Sequence, residues 1–121
     1  MRVRSLMVAA SLTLLASVAA ACGGGGEEDL PACPDGGTDL TYDTFGKAFM
    51  DNYCTSCHTA GSGVSGADSL PLDSLSAVQA EIEEVYEKAG GTNTSMPPGG
   101  NAAPSASERE QLAEWLSCGA K

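Results

Sequence analysis

The chain has little of what usually builds an active site or a large core. Its 121 residues include one histidine, His58, and only one Trp, three Tyr and two Phe. A single histidine excludes multi-histidine metal centres, and no nucleophile stands with a recognisable base. Basic residues are also scarce: six Lys and Arg face sixteen Asp and Glu, for a net charge of −10. That balance excludes nucleic-acid binding, which rests on clustered cations. Strand-like alternation is absent, and so is any internal repeat. So small an aromatic complement makes a marginal core unless a staple or a cofactor supports it.

The N-terminus is read as a leader. Arg2 and Arg4 precede an apolar run from Leu6 to Val18, too short for a comfortable membrane span, and Ala19, Ala20 and Ala21 follow. Basic, apolar and small segments in that order form a secretory signal, expected over 1–21. Cys22 comes next, before GGGGEEDLPA. This resembles a bacterial lipoprotein signal, in which Cys22 would be lipidated and residues 22–40 would be the anchor and flexible tether. Ala19 stands where that signal usually has leucine, so ordinary cleavage after Ala21 is the alternative. Loss of the leader removes Arg2 and Arg4 and no acidic residue, leaving four basic against sixteen acidic side chains, a net charge of −12. Such a charge suits partners with basic docking surfaces.

The domain is expected over 41–121, as three main helices and long loops. In TYDTFGKAFMDNYC, Thr41 is a candidate N-cap, and Phe45, Phe49 and Tyr53 recur every four residues. Residues 59–69 are rich in Gly and Ser and read as a loop. A second helix follows, capped by Asp73 or Ser74, with Val78, Ile82, Val85, Tyr86 and Ala89 on one face and Gly90 as its stop. TNTSMPPGGNAAP, residues 92–104, is irregular because of its prolines and glycines. Ser105 and Glu108 form a capping box for a last helix that carries Leu112, Trp115 and Leu116 and ends at Gly119. The fold class is all-α.

CTSCH, residues 54–58, holds the one histidine between these helices, and four readings compete for it. A thioredoxin-like dithiol needs a strand-to-helix turn, and here a helix leads into a loop. Structural zinc needs four ligands, whereas only Cys118 remains downstream. Coincidence is improbable for so specific a pentapeptide in an exported chain. The fourth reading has positive content. Cys54 and Cys57 have the spacing to bind the two vinyl groups of one haem, which brings His58 beneath the iron as proximal ligand. A covalent haem c would also supply the core that the aromatic-poor chain lacks.

Elimination identifies the sixth ligand. Met1 and Met7 leave with the leader, and Met50 lies one helical turn before Cys54, on the wrong side. Met96, in SMPPGG, remains as the distal ligand.

From Tyr42 to Cys118 the chain resembles the small monohaem cytochrome c family, on the strength of CTSCH, Met96-Pro97-Pro98, and the first and last helices. The resemblance implies that those two helices cross closely, with Gly46 in the first against Trp115 in the last. The family often has an aromatic residue one turn after that glycine, where this chain has Met50.

Cys33 and Cys118 flank the domain, and in an oxidising compartment they are expected to pair as a disulfide. With His58 and Met96 on the iron no position is open to substrate. The expected function is therefore single-electron transfer outside the cytoplasm, by a lipid-anchored carrier that is monomeric or part of a redox complex. The alternatives are a haem enzyme or gas sensor with a labile Met96, and a haem-free thiol or disulfide lipoprotein.

Overall fold

The computed structural model describes residues 29–121. The expected leader and Cys22 lie outside the described residues. Among the described residues every regular element is helical and none is a strand.

The first helix starts as the sequence suggests and then departs from it. The Thr41 hydroxyl accepts from the Thr44 N–H, and the Thr44 hydroxyl accepts from the Thr41 N–H, a reciprocal cap. The first turn, Tyr42–Gly46, is π-helical, with Gly46 N–H donating to Thr41 O at 3.0 Å. It runs into α1, Lys47–Tyr53. Wide turns of this kind often occur near functional sites. Here the turn carries Gly46 inward, against the indole of Trp115.

The expected second helix is two helices. α2, Leu75–Ala80, is capped by the Ser74 hydroxyl, and α3 is Ile82–Ala89. Glu81 stands between them at φ −124°, ψ 26°, and its N–H donates to Val78 O. The two pieces answer to different neighbours. Gln79 donates from α2 to the Ala120 carbonyl at 3.0 Å, while α3 packs along α4.

α4, Ala106–Ser117, has the full Ser105–Glu108 capping box. Its end is a Schellman motif: Gly119 N–H bonds Leu116 O, and Ala120 N–H bonds Trp115 O. Gly119 takes φ +86°, the left-handed region that a residue with a Cβ rarely adopts.

The core gathers where these helices meet: Phe49, Met50, Val78, Val85, Tyr86, Leu112, Trp115 and Leu116 are all buried. Trp115 has no exposed surface, and its indole N–H donates to Lys121 O. Five of the six aromatic rings form one connected row. Tyr42 and Phe45 pack on Trp115, Phe45 on Phe49, and Phe49 on Tyr53, with centroids 5.0–6.4 Å apart. The row leads from the buried indole to the start of CTSCH.

Residues 33–40, within the expected tether, are fastened to this body. Cys33 and Cys118 form a disulfide with Cα atoms 4.8 Å apart and a sequence separation of 85. Thr38 donates to the Glu114 carboxylate at 2.6 Å, and Leu40 packs against the core.

Candidate functional site

The end of α1 runs into CTSCH as a pair of hydrogen-bonded turns. Cys54 N–H and Thr55 N–H both donate to Met50 O, and His58 N–H donates to Cys54 O at 2.9 Å. Those turns place Cys54, Cys57 and His58 along one wall of a cleft of about 460 Å³. Phe49, Tyr53, Leu70, Leu72 and Val85 make much of the cleft's apolar lining, and Met96, Pro97 and Pro98 line it as well. Its size lies within the range of cofactor and ligand sites. Residues far apart in sequence thus share one cavity, and Met96 is 38% exposed at it.

The imidazole is oriented by main chain. His58 Nδ1 lies 3.0 Å from Leu70 O, and a carbonyl can only accept, so Nδ1 carries the proton. Nε2 then keeps a lone pair for a metal. The same loop is tied again where Leu72 N–H donates to His58 O at 2.8 Å. Fixing one ring nitrogen so that the other can ligate is the usual support of a metal-bound histidine.

Cys54 and Cys57 are unpaired and half-buried. Burial pushes the Cys54 thiol up to about 12, and the Arg109 charge opposes this only in part. A thiol raised in this way is a poor thiolate nucleophile. No cluster of three or more His, Cys, Asp or Glu able to hold a metal ion occurs among the described residues, so the zinc reading has no ligand set.

Three supports of the cleft were not read from the sequence. One is the Leu70 carbonyl, which no side-chain pattern announces. Another is the Tyr53 hydroxyl, which donates to Glu108 at 2.9 Å and joins the last turn before CTSCH to the first turn of α4. The Ser105 N–H and hydroxyl, and then Tyr53, hold the Glu108 carboxyl below its ordinary range; the bond to Glu108, with some burial, raises the Tyr53 phenol. The third is Arg109, buried with its guanidinium on the Met96 loop. It had a sequence signal: it lies three residues before Leu112 and seven before Leu116, on the apolar stripe of α4.

An all-α domain that sets a CxxCH turn against an apolar cleft is a small c-type cytochrome domain. Residues 43–116 match the model of the family described as cytochrome c oxidase, cbb3-type, subunit III; this is more than half of the chain, which belongs to that family of small c-type cytochromes. It is therefore a haem-binding electron-transfer protein. No curated protein and no solved structure gives a significant match. Domains of this kind typically lie outside the cytoplasm, and family membership points to redox partners or to a place in a larger complex. Among the described residues no helix is long and apolar enough to cross a membrane.

The cleft fits the covalent haem c that the family implies. It offers two unpaired thiols at the required spacing, an imidazole with its outer nitrogen hydrogen-bonded, a thioether, and an apolar lining.

Proposed function

We propose that the protein is a single-haem, single-electron carrier working outside the cytoplasm. Cys54 and Cys57 hold the haem through thioethers, His58 is the proximal iron ligand and Met96 the distal one. The observation that carries this reading is that Met96, 38 residues beyond His58, lines the same cleft as CTSCH. Bound haem c supplies the one-electron chemistry, and the protein's contribution is to hold it, orient it and limit its contact with water. The Leu70 carbonyl keeps the imidazole in the ligating tautomer. The apolar lining and a thioether ligand both favour a raised reduction potential. With His58 and Met96 both serving as ligands, the chain itself would leave no place on the iron for a substrate.

The same proposal sets a leader over 1–21, an anchor at Cys22 with a tether to residue 40 whose residues 33–40 are fastened to the haem domain, and that domain over 41–121. The excess of acidic side chains suits partners with basic docking surfaces. Lipidation at Cys22 would keep the carrier on the periplasmic side of a bacterial membrane, alone or as part of a redox complex.

One observation favours a second reading. Met96 lies in a bend outside every helix, so it is the one proposed iron ligand not carried by the CTSCH turn. A labile Met96 would make the domain a gas sensor or a haem enzyme. The visible spectrum of the purified protein, with carbon monoxide added to the reduced form, separates the two. The carrier shows a ferric thioether–iron charge-transfer band and resists carbon monoxide; rapid binding without that band supports the second reading.

A further inference from the structure

The chain keeps one arginine beyond its leader, and that arginine is buried. Arg109 is 5% exposed on the inner stripe of α4. None of the carboxylates among the described residues forms an ion pair with it, although the chain has sixteen acidic residues. Burying a cation without a counter-ion is costly unless hydrogen bonds compensate.

Those bonds converge on one segment. Nη1 donates to Ala89 O at 2.8 Å, to Asn93 O at 2.9 Å and to Met96 O at 2.9 Å. The main chain adds a fourth tie, with Gly91 N–H donating to Arg109 O at 2.9 Å. Met96 is also held from its other side, since its N–H donates to Lys88 O at 2.8 Å. Both main-chain polar groups of Met96 are therefore fixed, one by the end of α3 and one by the guanidinium. Pro97 follows directly and further limits the backbone. The freedom that remains belongs to the thioether side chain, which lines the cleft.

We infer that Arg109 is the positioning residue for Met96: its guanidinium gathers the carbonyls of Ala89, Asn93 and Met96 and so sets the distal loop at the cleft. This rests on the reading of Met96 as distal ligand. A neutral amide at this position could serve at most part of the carbonyl cluster. Charge-assisted bonds to three carbonyls make the loop's position a property of α4 rather than of the loop's own glycine- and proline-rich sequence.

The test uses the exported, full-length holoprotein in five forms: unmodified, Met96→Ala, Arg109→Gln, Arg109→Lys, and Cys33→Ser with Cys118→Ser as a destabilised control. Two readouts are taken on folded protein, the ferric charge-transfer band and the affinity for added imidazole, which must displace the distal ligand. The unmodified protein has the band and Met96→Ala loses it. Arg109→Gln weakens the band and binds imidazole roughly tenfold to a hundredfold more tightly, the scale of lost charge-assisted hydrogen bonds. Arg109→Lys, with its charge kept but its nitrogen one bond short, falls between the two. It carries the test alone if Arg109→Gln does not fold. Imidazole affinity within twofold of the unmodified protein in the arginine variants overturns the inference, as does an equal shift in the cysteine control. A band that survives Met96→Ala removes the ligand reading itself, and the inference with it.

Discussion

Gly46 and Trp115 meet so closely that no side chain fits between them. A Cβ at Gly46 would fall inside the van der Waals envelope of the indole carbons Cη2 and Cζ2. The π-helical turn at Tyr42–Gly46 and the fully buried Trp115 are two sides of this contact. Gly46→Ala should therefore destabilise the protein by about 1–3 kcal/mol, the usual cost of overpacking, although alanine is the better helix former. Thermal or denaturant unfolding of the holoprotein checks this, and an unchanged or raised midpoint would contradict the contact.

The disulfide closes 85 residues of sequence separation. Chain entropy alone gives a loop of that length about 4–5 kcal/mol of stabilisation. Cys33→Ser with Cys118→Ser should lower unfolding stability by up to that amount. It should leave the visible spectrum of the remaining folded protein unchanged, because neither residue lines the cleft. A spectral change would show that the bridge reaches the site.

Glu108 sets an acid limit. Its carboxyl is held below its ordinary 4.5 by the Ser105 N–H and hydroxyl and by Tyr53. A depressed folded value means that the contribution is present above the ordinary value and is lost as pH falls through the folded one. Stability should drop as pH is lowered below about 4.5. Glu108→Gln should be less stable at neutral pH, with a flatter acid profile, since it cannot titrate. Equal acid slopes for the two proteins would rule out this role.

Electron exchange should depend on the sign of the partner's charge. The chain's net charge of −10 would become more negative if the proposed leader, with Arg2 and Arg4, were removed. Reduction or oxidation by a small cationic complex should be fast and slow down as salt rises; an anionic complex should show the reverse. Stopped-flow rates against ionic strength test this. Rates independent of salt with both reagents would mean that the acidic residues serve solubility alone.

Local signals in the sequence led to most of the helices because they act over one turn. The Ser105–Glu108 box and the Gly119 stop depend on neighbours three or four residues away. The Gly46–Trp115 crossing was reached differently, through resemblance to a family. The break at Glu81 was hidden, since no glycine or proline marks it in the sequence. At the site, CTSCH and Met96 stood out as chemical types. What holds them was harder to see: Leu70 acts through its carbonyl, Tyr53 reaches 55 residues along the chain to Glu108, and Arg109 binds carbonyls of three residues. Carbonyl acceptors leave no trace in side-chain patterns. The placement of Arg109 on an apolar stripe was the one visible sign.

The central claim is that CTSCH carries covalent haem, and the intact mass of the exported protein after denaturation and solvent extraction tests it most directly. The mass expected is that of the polypeptide plus one haem, with the haem increment lost in Cys54→Ala plus Cys57→Ala. A mass equal to the polypeptide alone, from cells able to attach haem, would contradict the account.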